Sequence, residues 1–155
     1  KTKLVAFTLL ASISAFASFA QDAADPFADV VETRHGLMLQ MASDLGTLGG
    51  MAKGTAAYDQ AAATQAASNI AAIASVLSMA QFPAGSETGA AADSYALADI
   101  WTKQDDFLSK ITDLNNAAGM MKMAAATDAN AIKGSMAQLG GACSACHKSY
   151  RQPES

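Results

Sequence analysis

Residues 141–151 read GACSACHKSYR and contain both cysteines of the 155-residue chain together with one of its two histidines. Cys143, Cys146 and His147 stand at positions i, i+3 and i+4, so a helix would place all three side chains on one face. This spacing indicates a helical host for the stretch. The kind of helical fold then depends on the chain that precedes it.

The preceding chain is typical of an all-α protein. Alanine dominates long segments with few internal breakers, and no run alternates β-branched with polar residues. Glycine, proline and aspartate divide the chain into four predicted helices. They cover about 27–52, 60–80 and 97–123, and a fourth begins at Thr127-Asp128 and carries the motif. Four antiparallel helices would bury one continuous core, and each alone would be marginal.

The N-terminal residues predict export. Two lysines precede an uncharged apolar run at 4–20, and the small residues Ser18 and Ala20 fit a cleavage site. We expect 1–20 to be a cleaved signal peptide and 21–155 to form one domain in the periplasm. Cleavage leaves 8 basic and 14 acidic residues, a formal charge of −6, and no expected membrane span.

The charge pattern argues against nucleic acid as a partner. A phosphate-binding protein concentrates lysine and arginine on one face or in one block. No such block occurs in this sequence, and the lysines after residue 20 are mostly scattered singly.

CxxCH is the attachment pattern of c-type haem. Two thiols add across the two vinyl groups of the porphyrin, and the imidazole after the second cysteine reaches the iron from the same side. The motif therefore predicts one covalently bound haem c per chain. Cys143 and Cys146 would form the thioethers, and His147 would be the proximal iron ligand.

Three other interpretations of the motif fit the residues less well. A redox-active CxxC normally opens a helix after a strand, and no strand signal precedes Cys143. A structural zinc site needs four ligands, and the chain adds only His35 to the motif. A disulfide within one helical turn would be strained, because its geometry is specific.

The chain resembles the class II c-type cytochromes, the cytochrome c′ family, and most closely their low-spin His/Met cytochrome c-556 type. The resemblance rests on CxxCHxxYR near the C-terminus, on LGGMAKG at 48–54 with AAYD at 56–59, and on Ile100-Trp101. It implies an all-α, antiparallel four-helix bundle of up-down-up-down topology with a covalently attached haem. It also implies that Arg151 lies beside the haem edge, while the alternative for this residue is a solvated cation favoured by the dipole at the helix C-terminus.

The resemblance further implies a second iron ligand from the first helix. Aligned on Arg34 and the AKG end of that helix, Met38 takes the distal position, with Met41 one turn later as the fallback ligand. Arg34 is a second candidate haem contact. Methionine is also a common core filler, and Met38 and Met41 both belong to the apolar stripe of this helix. His35 is a weaker rival ligand, because it points away from that stripe.

These features together predict a periplasmic one-electron carrier that is not an enzyme. His/Met ligation suits this role because it raises the reduction potential. The alternative is a five-coordinate cytochrome c′ that binds small gases such as nitric oxide. Expected partners are periplasmic redox proteins, and the resemblance also allows a homodimer formed through the first two helices.

Overall fold

The computed structural model describes residues 24–153, so the predicted signal peptide lies outside the described residues. This part of the chain forms five α-helices and one short 3-10 helix, Met79–Gln81. The α-helices are α1 (Ala28–Lys53), α2 (Gln60–Val76), α3 (Asp99–Thr102), α4 (Gln104–Ala125) and α5 (Ala129–Tyr150). Between residues 24 and 153 the only β-type pairing is two isolated bridges.

The four long helices form an antiparallel bundle, as predicted. α1 packs on α2, α2 on α4, α4 on α5, and α5 closes the bundle against α1. Alanines on the inner face of α2 are buried, which lets the neighbouring helices approach closely. The large side chains that fill the core with them are Leu48, Ile100, Met121, Ile132 and Leu139.

Local signals set the helix ends that the sequence predicts. Gly54 ends α1 with φ of 73°, a left-handed conformation that glycine adopts without steric cost. The carboxylates of Asp59 and Asp128 accept hydrogen bonds from the backbone N–H of Ala62 and Ala131, at 3.0 and 2.8 Å. Both aspartates are therefore the N-caps of their helices.

Two predicted helices are shorter than expected. α2 ends at Val76 because Ser78 and Gln81 form a capping box that starts the 3-10 helix. The predicted third helix breaks at Lys103, whose φ of −125° and ψ of 43° separate α3 from α4. Beside this break, the indole of Trp101 donates a hydrogen bond to the carbonyl of Phe82 at 3.0 Å.

None of the helices between residues 24 and 153 has the length and apolar character that crossing a membrane would require.

Candidate functional site

The motif lies in the last two turns of α5, so its three side chains share one helical face as predicted. Cys143 and Cys146 are half-buried and pack against the hydrophobic core, whereas His147 is exposed. No disulfide joins the two sulfurs. The motif therefore lies at the edge of the bundle, with its sulfurs turned inward.

Burial disfavours the charged thiolate form of both cysteines before any group is attached to them. Burial raises the pKa of the Cys143 thiol. It also raises the pKa of Cys146 to about 11, with a smaller contribution from the charge of Cys143. Because the thiolate is the species that forms disulfides, protonated thiols oxidise slowly. Thioether formation instead adds S–H across a vinyl double bond and needs no oxidant.

The side chains around the motif do not form a site in which all the ligands of a metal ion come from the protein. Among residues 24–153 no group of three or more His, Cys, Asp or Glu side chains lies close enough to hold a metal ion. A structural zinc site, which takes four protein ligands, is thus absent from this part of the chain. A haem suits this donor set better, because its porphyrin brings four nitrogens and leaves only axial positions to the protein.

The face of α5 before the motif has room for a flat group. Gly140 stands three residues before Cys143 and seven before His147, and so lies on the same helical face. The position is half-buried, yet a Cβ placed there would meet no atom of another helix within 4 Å. The residues present therefore fit a haem laid against α5.

The contact between α1 and α5 shows which residues of the two helices lie at the same height along the bundle axis. A Cβ placed on Gly49 would stand 3.7 Å from the Cε of Met136, so the two helices meet there. α1 and α5 run antiparallel, and each residue advances a helix by about 1.5 Å. Met38 and His147 both lie eleven residues from this contact, in the same direction along the bundle, and are therefore at the same level to within about one turn, the reach of the Met136 side chain.

Both predicted distal methionines lie on the inward side of α1. Met38 and Met41 are half-buried and pack against the core cluster. Met41 lies eight residues from Gly49 and is therefore level with Ser144, one turn before the histidine. Both methionines therefore lie within about one turn of the level of His147.

Arg34 is buried, with 5% of its surface exposed, one turn before Met38. Its guanidinium donates hydrogen bonds to the hydroxyl of Ser86 at 2.9 Å, to the carbonyl of Ser86 at 3.1 Å and to the hydroxyl of Ser94 at 3.2 Å. It also lies 5.1 Å from the ring centroid of Phe82. Burial lowers its pKa. The predicted haem contact of Arg34 stays a prediction.

Arg151 caps the C-terminus of α5, and its N–H bonds the carbonyl of His147 at 3.0 Å. Its guanidinium lies 5.6 Å from the ring centroid of Tyr95. The rival ligand His35 is half-buried and contacts the same ring, with the two centroids 5.8 Å apart. The predicted haem contact of Arg151 also stays a prediction.

The sequence did not single out Ser86, Ser94 or Tyr95. All three lie in the link between α2 and α3, where serine is typical of any loop. Their partners on α1 are more than fifty residues away in the chain. No local pattern signals such contacts, and only the folded bundle reveals them.

Comparison with known proteins identifies the family of the chain. The family model described as Cytochrome C′ matches residues 29–151. The chain belongs to the cytochrome c′ family. Cytochrome c-554 of Cereibacter sphaeroides is 48% identical over 149 residues, which cover 96% of this chain and 97% of that protein. A cytochrome c-556 of Agrobacterium tumefaciens is 37% identical over 121 residues, which cover 78% of this chain and 95% of that protein.

A solved structure with the same fold is cytochrome c′ from Shewanella frigidimarina. Its TM-score is 0.73 at 35% identity, and the match covers 82% of this chain and 97% of that one. Membership confirms the predicted class II c-type cytochrome and its four-helix bundle, and the c-556 relative supports the predicted subtype. The cofactor is haem c, bound covalently, and Cys143 and Cys146 have the spacing for its attachment.

Proposed function

We propose that the protein is a periplasmic one-electron carrier whose haem iron is held between His147 and Met38. The observation that carries this proposal is the shared level of these two residues, each eleven positions from the contact of Gly49 with Met136. Met38 is turned toward the core on the helix that packs beside α5. The similarity to proteins named cytochrome c-554 and c-556 points in the same direction.

The haem supplies a one-electron redox couple, and the chain's own residues tune and shield it. The imidazole of His147 and the soft thioether of Met38 are the ligand pair that raises the potential of c-type cytochromes. Cys143 and Cys146 anchor the group to α5, so it is not lost. The packed core behind them excludes water, and this burial is a second control on the potential. The proposal includes no organic substrate.

The partners in this proposal are periplasmic redox proteins. The predicted mature chain carries a formal charge of −6, which favours partners with basic patches through electrostatic steering. A homodimer formed through α1 and α2 remains a prediction from the family resemblance.

The second candidate is a five-coordinate protein that binds small gases. The observation in its favour is that Met38 also continues the apolar stripe of α1 with Leu37 and Leu45, so its side chain serves as core packing in either case. In this alternative Met38 only lines the pocket on the distal side of the haem.

Optical spectra of the purified holoprotein distinguish the two functions. We expect oxidised wild type to be low-spin, with a sulfur-to-iron charge-transfer band in the red. Met38→Leu removes the sulfur at nearly constant volume, so it should become high-spin and bind carbon monoxide readily. Met41→Leu is the matched control and should keep the wild-type spectrum.

The same series contradicts the proposal if wild type is high-spin and Met38→Leu leaves its spectrum unchanged. A low-spin wild type that loses its band only in Met41→Leu would move the distal ligand to Met41.

A further inference from the structure

Residues 86–97, called the strap below, are bonded to both helices that carry the proposed iron ligands. On the α1 side, Arg34 makes its three hydrogen bonds to Ser86 and Ser94. Ser86 is fully buried and Ser94 nearly so. Hydrogen bonds from a charged donor in such an environment are stronger than exposed ones. Arg34 stands four residues before Met38, so the strap holds the turn that precedes the proposed ligand.

On the α5 side, the strap pairs with the end of the helix just after His147. The N–H of Leu97 donates to the carbonyl of Tyr150 at 2.9 Å, and the N–H of Gln152 donates to the carbonyl of Tyr95 at 2.8 Å. The hydroxyl of Thr88 adds a bond to the side-chain oxygen of Gln152 at 2.6 Å. Tyr150 is three residues from His147, so these bonds hold the turn that follows it.

Bonds within the strap make it one unit. The hydroxyl of Ser94 donates to the carbonyl of Ser86 at 2.6 Å, and the N–H of Thr88 donates to the carbonyl of Ala96 at 2.8 Å. The Ser94 hydroxyl also accepts from the N–H of Ala96 at 3.3 Å. These bonds join the end of the strap that contacts α1 to the end that contacts α5, so the two ends move together.

We propose that the strap sets the separation of Met38 from His147, with Ser94 as the positioning residue that joins its two ends. This inference rests on the proposed function. With the strap intact, α1 stays at the distance at which the Met38 sulfur lies opposite the imidazole. With the strap loosened, α1 moves away at this end, and the distal side opens to external ligands.

The test is carbon monoxide binding to the reduced holoprotein, together with the spin state of the oxidised form. Ser94→Ala removes three bonds of the strap and leaves Arg34 bonded to Ser86. We expect its rate of carbon monoxide binding to rise by about tenfold, which corresponds to a change of about 1.4 kcal/mol in free energy. Its high-spin fraction should rise as well.

Tyr58→Phe is the matched control. It removes a hydrogen bond to the carbonyl of Ala125 at the opposite end of the bundle, so it costs stability without touching the strap. Its carbon monoxide rate and spin state should equal those of wild type. Thr88→Ala removes an exposed bond of the strap and gives a second, milder variant in case Ser94→Ala does not fold.

The outcomes separate this inference from the proposed function. A low-spin wild type whose folded strap variants bind carbon monoxide at the wild-type rate overturns the role of the strap alone. An equal increase in Tyr58→Phe also overturns it, because the effect would then follow general stability. A high-spin wild type contradicts Met38 ligation and, with it, the inference.

Discussion

At residue 150 the chain buries a tyrosine in the turn that follows the motif. Tyr150 is 3% exposed, packs edge-on against Phe107 with centroids 5.2 Å apart, and donates a hydrogen bond to the carboxylate of Asp106 at 2.6 Å. This bond lowers the pKa of Asp106. Burial, with the neighbouring carboxylate, raises the pKa of Tyr150 to about 12. Tyr150 therefore ties α5 to α4.

This pair predicts a pH dependence of stability. Because the folded pKa of Asp106 is below its unfolded value of about 3.9, the pair stabilises the protein fully only above that value. The stabilisation is lost as the pH falls through the folded pKa. The difference in unfolding free energy between wild type and Tyr150→Phe should therefore be constant near neutral pH and shrink in acid. Denaturant unfolding at a series of pH values measures it.

The control for this prediction is Tyr58→Phe, which loses a hydrogen bond to a backbone carbonyl that does not titrate. Its difference from wild type should not change in acid. The same acid dependence in both variants would show that the Asp106 carboxylate is not the cause.

At the residue scale, the sequence predicts sites made of neighbouring residues and misses contacts between residues that are far apart in the chain. Cys143, Cys146 and His147 were identified because their spacing is itself the chemical signal. The partners of Arg34 were not identified, because Ser86 and Ser94 lie 52 and 60 residues away. Buried hydrogen bonds of this kind form only once the helices are packed.

At the scale of the element, the end of each helix depends on one or two residues. Asp128 caps α5, the helix that carries the motif, and Asp59 caps α2 in the same way. Both caps lie at the end of the bundle opposite the strap. A substitution at either cap should therefore change the stability of the protein without changing the geometry of the haem site.

Replacing the cap of α5 should destabilise the protein without changing the haem environment. We expect Asp128→Ala to lower the free energy of unfolding by about 1 kcal/mol, because one N–H of the first turn loses its acceptor. Urea denaturation of the holoprotein measures the loss, and the absorption spectrum should stay that of wild type. Asp59→Ala is the matched variant on α2 and should behave alike. A high-spin spectrum in Asp128→Ala alone would show that this helix end does position the site.

Helix ends also show where prediction from sequence stops. Gly54, Asp59 and Asp128 act on their own backbone, so the helix ends beside them could be predicted from the sequence. The break at Lys103 was not, because no proline or glycine marks it. The early end of α2 depends on a capping box between Ser78 and Gln81, inside a segment whose apolar residues continue the helical pattern.

At the scale of the whole molecule, the antiparallel bundle brings together residues that are far apart in the chain. The helices α1 and α5 are first and last in the bundle, and their contact closes it. This closure brings Met38 near the level of His147, although the two residues are 109 positions apart in the sequence. The fold class followed from periodicity and breakers, whereas this level required the contact of Gly49 with Met136.

The central claim is that a haem is bound through the two sulfurs of α5, beside the imidazole of His147. Mass spectrometry of tryptic peptides tests it most directly, on protein purified from cells able to attach haem c. Cleavage after Lys133 and Lys148 releases residues 134–148, which contain both cysteines. We predict that this peptide carries the mass of one haem, and that replacing both cysteines with serine removes it. A colourless protein whose 134–148 peptide carries only thiols or a disulfide would contradict the account.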